Sequence, residues 1–170
     1  GVDLRNKDLT GTNLDSVDLS SMYLSGTNLS GVDISNINFS GLDLSGVDLS
    51  NQDLTGKNLI GTSLTYANLS GTNLNGVDLR NKDLTGANLS AVDLSNKDLT
   101  GTILSYANLS GANLDGVDLS NKDLTGTILS YAGLTRKNLD GMNLAKDYFS
   151  GANLSGVDIS NINFSGLDLS

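Results

Sequence analysis

A leucine, isoleucine or phenylalanine occupies every fifth position from Leu4 to Leu169, which divides the 170 residues into 34 consecutive pentads. An α-helix turns such positions by about 140° at each step, so they would spiral around every side. A flat strand places successive members of an odd period on opposite faces. The side chains all point inward only if the chain bends once per pentad. The period therefore predicts a polygonal coil with one pentad on each side.

The first residue of each pentad is suited to this bend. It is glycine in 19 pentads and asparagine in seven, and these two residues best tolerate a positive φ angle. A four-residue turn with Gly or Asn in third place is typical of a type II turn. Turns of one kind repeated at a fixed spacing predict a solenoid.

The pentads GVDLS, GANLS, GTNLS and YANLS resemble the motif A(D/N)Lxx of the pentapeptide-repeat family, and the resemblance covers the whole chain. It implies an all-β fold, a right-handed quadrilateral parallel β-helix with four pentapeptides per coil. We therefore expect one domain over residues 1–170, about 8.5 coils and roughly 40 Å long, without linker or polar caps. In this fold the leucine and the residue two before it point inward.

The composition argues against an enzyme. The chain has no Cys and no His, and its Ser, Asp and Lys residues recur throughout, so no cluster of acid, base and nucleophile stands out. No cofactor, metal or small-molecule substrate is predicted from a motif. A net charge of −9 argues against binding to nucleic acid or to an anionic membrane. The lack of cysteine leaves the compartment open.

Residues one before the leucine form outward columns at a spacing of 20. One column holds only Asp and Asn, with Asp78, Asp98 and Asp118 in succession. Like charges about 4.8 Å apart repel, so this column either tolerates strain or attracts cations. A weak Ca²⁺ site is one hypothesis, and hydrogen bonding to nearby turn backbone is the favoured interpretation. The column is Asp18, Asn38, Asn58, Asp78, Asp98, Asp118, Asn138 and Asp158.

The position two before the leucine is often Val, Ala or Thr, but lysine interrupts this pattern. A buried lysine without a partner is costly, and residues such as Val77, Thr102 and Val117, one coil away, offer no carboxylate. We predict that these lysines extend past the corner and keep only their methylenes inside. Their role is left open. They are Lys7, Lys57, Lys82, Lys97, Lys122 and Lys137, with Gln52 and Asp147 as further exceptions.

Tyrosines supply the candidate contact residues. Tyr66, Tyr106 and Tyr131 occupy corners, and the first two should lie on one face, two coils apart. Tyr23 and Tyr148 occupy outward positions. Exposed tyrosines are common in interfaces, although scattered surface tyrosines are the simpler interpretation.

The ends are compatible with continuation of the array. Residues 156–170 repeat residues 31–45, and the pentads after residue 45 resemble those at the start of the chain. A second copy placed after Ser170 would continue the repeat. We therefore expect either that the chain is a slice of a longer array or that molecules stack head to tail into filaments.

Two functions remain open at this stage. The uninterrupted period favours a non-enzymatic scaffold, spacer or fibre subunit whose partner is itself or another protein. The alternative comes from the resemblance: some pentapeptide-repeat proteins are acidic rods that mimic DNA and inhibit DNA gyrase. Those relatives carry projecting loops or a dimerisation element, which this chain lacks.

Overall fold

The computed structural model describes residues 1–120, 122–134, 152, 155 and 156. The described residues form turns joined by isolated parallel bridges, with no helix and no longer strand. Every bridge joins two residues 20 apart, such as Asp48 to Asn68 and Asn68 to Asn88. Four pentads therefore complete one coil, and successive coils stack in register. No helix in this part of the chain is long and apolar enough to cross a membrane.

The interior is a stack of leucines. Leu24, Leu44, Leu64 and Leu84 share one column of it and are almost completely buried. Val47, Ala67 and other small residues two before the leucine are buried beside them. Threonines at the same position keep their hydroxyls satisfied, as when Thr62 Oγ1 donates to Phe39 O at 2.8 Å. The inward orientation expected for both positions is confirmed.

Each corner is a hydrogen-bonded turn. The N–H of the residue two before one leucine donates to the carbonyl of the preceding leucine, as from Ala67 N to Leu64 O at 3.1 Å. The third residue of the turn has a positive φ at every described corner after Gly1 except Ser21 and Asn36. The expectation of positive φ is thus confirmed at most corners and wrong at Asn36, whose turn still closes from Ile37 N to Ile34 O at 3.0 Å.

The outward Asp and Asn side chains stiffen the end of each pentad. Their Oδ1 atoms accept the N–H of the residue two further on, as from Ser50 N to Asp48 at 2.8 Å and from Ser110 N to Asn108 at 3.0 Å. This short-range hydrogen bond does not compete with the hydrogen bonds between coils. It fixes the backbone conformation where the chain enters the next turn. The interpretation of these residues as backbone caps is confirmed where the structure describes them.

The four faces are not equivalent. Within the described chain, bridges occur on three faces, and none joins members of the column from Asp18 to Asp118. We call this fourth side the open face; it comprises residues 16–20, 36–40, 56–60, 76–80, 96–100 and 116–120. Clefts between its successive coils are lined by its Asp and Asn residues and by flanking lysines.

Two features of the expected fold reach beyond the described residues. The total of about 8.5 coils and the single domain over 1–170 include residues 135–151 and 157–170. Both stay predictions, as does the right hand of the coil.

Candidate interaction surfaces

Four of the inward-position lysines end on backbone carbonyls of the preceding coil. Lys97 Nζ donates to Leu74 O at 2.6 Å and to Val77 O at 3.0 Å. Lys57 Nζ donates to three carbonyls at the turn below it, the shortest bond being 2.6 Å to Ser35 O. Each ammonium group therefore caps a turn in a neighbouring coil.

Two more lysines repeat this arrangement. Lys82 Nζ donates to Leu59 O, and Lys122 Nζ donates to Leu99 O and, at 3.3 Å, to Thr102 O. All four of these side chains are half-buried, and Lys7 is exposed. None of the five is sealed inside, as predicted. The prediction is corrected in one respect, because the four half-buried ammonium groups find carbonyl partners at the corner. Lys137 lies outside the described residues.

The lysines stand on both edges of the open face. Lys57 and Lys97 share the column at its start, and Lys82 and Lys122 share the column at its end; Val or Thr occupies the intervening coils. Ammonium groups in one column are therefore about 10 Å apart, twice the strand spacing. Burial lowers the pKa of Lys97 and of Lys122, and nearby aspartates oppose that shift. These four lysines thus link coils beside the face on which the described residues form no bridge.

The aspartates of the open face are compensated within the chain. Arg80 donates from Nη2 to Asp78 Oδ2 at 2.7 Å and from Nε to Oδ1 at 3.0 Å. Thr100 Oγ1 donates to Asp98 at 2.6 Å, and Ser120 Oγ donates to Asp118 at 2.7 Å. Bonds of this kind lower the pKa of each carboxyl. The repulsion expected along this column is therefore offset by local donors and by Arg80.

The hypothesis of a weak Ca²⁺ site at Asp78, Asp98 and Asp118 stays a prediction. Each carboxylate is turned toward the residue two positions ahead of it rather than toward its neighbours in the column. The described part of the chain brings together no group of three or more His, Cys, Asp or Glu that could hold a metal ion.

The tyrosines are exposed at the corners, as expected. Tyr66, Tyr106 and Tyr131 are 68%, 61% and 73% exposed, respectively. Tyr66 and Tyr106 occupy the same corner two coils apart, because Asn68 bridges to Asn88 and Asn88 to Asn108. Tyr23 is also exposed, and Arg5 lies 5.7 Å from the centre of its ring. Tyr148 lies outside the described residues. Use of these tyrosines as contacts stays a prediction.

Sequence reasoning missed two relationships across coils. It found no partner for the lysines because it compared only side chains 20 residues apart, whereas the main acceptors are carbonyls 23 residues earlier. It also missed the packing of corner side chains against the next coil. Tyr66 lies over the backbone of Gly86, and Tyr106 lies over that of Gly126. The signal was present as an alternation of Tyr and Gly at a spacing of 20.

Comparison with known proteins identifies the family of the chain. The pentapeptide repeats family model matches residues 3–41, 43–81, 83–121, 108–144 and 148–170. The chain therefore belongs to the pentapeptide repeat family. No curated protein sequence gives a match.

Solved structures of the same family are similar to the chain. HetL, a pentapeptide repeat protein involved in heterocyst differentiation regulation from Nostoc sp. strain PCC 7120, is 30% identical over 98% of this chain and 88% of its own, with a TM-score of 0.33. A pentapeptide repeat protein from the Arabidopsis thaliana thylakoid lumen is 27% identical over 67% of this chain and 69% of its own, with a TM-score of 0.29. Full-length QnrB1, a plasmid-mediated fluoroquinolone resistance protein, is 16% identical over 99% of this chain and 80% of its own, with a TM-score of 0.38.

Proposed function

We propose that this protein is a non-enzymatic, rigid rod that serves as a scaffold, spacer or fibre subunit. The observation that carries the proposal is the use of its polar side chains as structural ties. Aspartates and asparagines cap the backbone of their own pentads, and lysines cap turns of the preceding coil. The Asp and Asn side chains thereby hold the turns of the backbone, and the lysines hold neighbouring coils together.

The interior gives such a rod its stiffness. Leucines in successive coils stack directly on one another, and burial of each side chain contributes about 1.5–3 kcal/mol. Because each coil contacts only its neighbours, the stabilisation is distributed evenly along the axis. A structure of this kind separates two attachment points by a fixed distance.

Small-angle X-ray scattering tests the rod directly. The full chain should give the profile of an elongated particle with a long dimension of about 40 Å, unchanged between low and moderate salt. A profile that indicates a flexible or collapsed chain would refute the proposal.

End-to-end stacking belongs to the same proposal. The contacts between coils of one copy are made by backbone carbonyls, N–H groups and inward leucines, and a coil of a second copy offers the same groups. Sedimentation velocity over a wide concentration range should show elongated oligomers that grow with concentration. A single monomeric species at every concentration would exclude stacking.

The alternative function, inhibition of DNA gyrase by mimicry of DNA, is favoured by one feature of the surface. The face formed by residues 11–15, 31–35, 51–55, 71–75, 91–95 and 111–115 carries aspartates and neither Lys nor Arg. Hydrogen bonds from the N–H and hydroxyl of Ser95 are the main cause of the lowered pKa of Asp93, and the nearby charge of Lys97 lowers it further. A gyrase supercoiling assay decides this alternative: inhibition at micromolar protein supports it, and unchanged supercoiling rejects it.

A further inference from the structure

One corner of the rod presents two tyrosine rings in the same pose. A Cβ atom built on Gly86 would lie 2.4 Å from both Cδ1 and Cε1 of Tyr66. A Cβ built on Gly126 would lie 2.4 Å from Cδ1 and 2.7 Å from Cε1 of Tyr106. Each ring therefore packs over the glycine of the next coil, while most of its surface stays exposed. We call this corner, with its two rings and two glycines, the paired-tyrosine site.

The two rings are separated along the rod axis by two coils. At one strand spacing per coil this separation is about 10 Å. The rings are held by the backbone of a stacked solenoid, so their spacing is set by the fold rather than by a mobile loop. A ligand that stacks on both rings must present two equivalent flat surfaces at that spacing.

The face that begins at this corner is uncharged over four coils. Asn88 Nδ2 donates to Asn68 Oδ1 at 3.1 Å, which aligns the amides of adjacent coils along the face. An amide nitrogen carries two hydrogens, so one N–H of Asn88 remains for an outside acceptor. The four pentads are YANLS at 66–70, GANLS at 86–90, YANLS at 106–110 and GTILS at 126–130.

The adjoining face repeats with the same period. Aspartates of this face alternate with the tyrosines from coil to coil. Asp83 lies in the same coil as Gly86, and Asp123 lies in the same coil as Gly126. Carboxylates accept strong hydrogen bonds from hydroxyl groups. Aromatic rings and hydrogen-bonding groups thus alternate along the corner, each type recurring every two coils.

We propose that the paired-tyrosine site binds an extended β-1,4-linked glucan chain that lies parallel to the rod axis. The C–H groups on one face of an all-equatorial sugar ring form an apolar surface that suits the negative face of an aromatic ring. Alternate sugars of such a chain present equivalent faces at a spacing close to two coils. The Asn amides and Asp carboxylates would receive the sugar hydroxyls. The proposal rests on the proposed role as an interaction scaffold, whose partner it names.

The chemistry on this corner separates a glucan from other polymers with flat units. Single-stranded nucleic acids also stack on aromatic rings, but they need a positively charged groove along their phosphates. The four pentads that contain the tyrosines and their glycines carry no positive charge, and Lys82 and Lys122 of the adjoining face reach its opposite edge. The protein as a whole has a net charge of −9. A neutral polymer meets no such repulsion.

Affinity electrophoresis in gels that contain hydroxyethyl cellulose tests the site with the full chain. Wild-type protein should be retarded, and Tyr66→Ala and Tyr106→Ala should each weaken binding about three- to tenfold. Alanine suits this corner position, since Ala91 occupies an equivalent corner with a φ of 58°. The matched control is Tyr131→Ala: Tyr131 is equally exposed and has Ala91 rather than a second tyrosine two coils earlier.

A spacing variant tests the geometry itself. Gly46→Tyr combined with Tyr66→Gly keeps both rings on the corner but separates them by three coils, and should weaken binding as much as loss of one ring. Circular dichroism and scattering of every variant show whether the rod persists, so loss of binding by an intact rod is distinguished from loss of the rod. Absence of wild-type retardation, full binding by the spacing variant, or equal weakening by Tyr131→Ala would each overturn the proposal.

Discussion

The side chain of Tyr66 fills the space in which a side chain at Gly86, one coil later, would have to lie. A Cβ on Gly86 would be 2.4 Å from the Tyr66 ring. Asn81 makes the same demand of Gly101, where a Cβ would lie 2.1 Å from Asn81 Oδ1. An Asn or Tyr side chain on a left-handed corner thus points along the rod axis and requires a glycine at the next corner of its column.

The sequence obeys this requirement along its length. Of 34 corners 19 are glycine, which leaves 15 others, and 14 of these are followed by another corner 20 residues later. In 13 of the 14 cases that corner is glycine. The exception is Asn36 after Ser16, and Asn36 is one of the two described corners after Gly1 that lack a positive φ. Steric exclusion between coils therefore explains the glycine that follows each described Asn or Tyr corner of positive φ with a described successor, whereas a Cβ on Gly41, Gly56 or Gly111 would meet nothing within 4 Å.

We predict that Gly86→Ala destabilises the protein more than Gly76→Ala. Both glycines have a positive φ, of 66° and 70°, so the backbone strain is matched. The added methyl at position 76 would meet Gly56 Cα at an ordinary 3.6 Å, whereas at position 86 it would displace the Tyr66 ring. Such overpacking costs about 1–3 kcal/mol. Urea denaturation of the two variants measures the difference.

Removal of the ring supplies the control for this comparison. In a Tyr66→Gly background, Gly86→Ala and Gly76→Ala should have similar unfolding midpoints, because both methyl groups then meet only backbone. A persistent extra loss from Gly86→Ala without the tyrosine would show that the ring is not the cause.

Lys97→Met should lower stability by about 1.5–3 kcal/mol, the scale of a hydrogen bond that involves a charged group. Methionine retains an apolar chain at this corner but cannot donate to Leu74 O and Val77 O, which Lys97 Nζ contacts at 2.6 and 3.0 Å. Lys7→Met is the matched control, since Lys7 holds the same pentad position but is exposed. Thermal unfolding followed by circular dichroism compares them. Equal changes for both variants would contradict a role of the ammonium group in linking coils.

The capping aspartates predict that stability falls in acid. The hydroxyl and N–H of Thr100 lower the pKa of Asp98 below its ordinary value near 3.8. Because the folded-state pKa is the lower one, the stabilisation is present above the unfolded-state pKa and is lost as pH falls through the folded-state pKa. The other capping aspartates whose pKa is lowered act in the same direction, so the unfolding midpoint should drop steadily below about pH 4.

Asp98→Asn isolates one of these groups. Asparagine keeps the oxygen that accepts the Thr100 N–H, as Asn68 does for Ser70 at 3.2 Å, but it does not titrate. The variant should lose less stability than the wild type between about pH 7 and about pH 2.5. Asp98→Ala, which loses the cap at both pH values, serves as control. An acid response of Asp98→Asn identical to that of the wild type would argue against this account.

The coil could be predicted from the sequence because a single steric condition determines it. An apolar residue at every fifth position can turn inward only if the chain bends each pentad, and Gly or Asn at the bend permits the turn. The inward stack of Leu44, Leu64 and Leu84 and the outward caps such as Asp48 follow from that condition. The caps depend on contacts within one pentad, and the leucine stack depends on contacts that recur at every coil.

The surface relationships could not be predicted in the same way. The carbonyls that receive Lys82 and Lys122 lie 23 residues earlier, across a turn as well as a coil. The pose of Tyr66 depends on the direction in which a left-handed corner projects its Cβ. The absence of bridges on the open face, within the described residues, has no counterpart in the sequence pattern, which is the same on all four sides.

We propose that the protein is a stiff stack of coils in which every 20 residues advance the chain by one strand spacing. Spin labels on Asp15→Cys with Asn75→Cys, and on Asp15→Cys with Asp115→Cys, place one pair three coils apart and the other five, at equivalent exposed positions. Dipolar broadening of the continuous-wave electron paramagnetic resonance spectrum for the shorter pair, and pulsed measurement for the longer pair, should give narrow distributions near about 14 Å and about 24 Å. Broad distributions, or separations that do not grow in the ratio of three to five, would contradict the rigid four-sided coil.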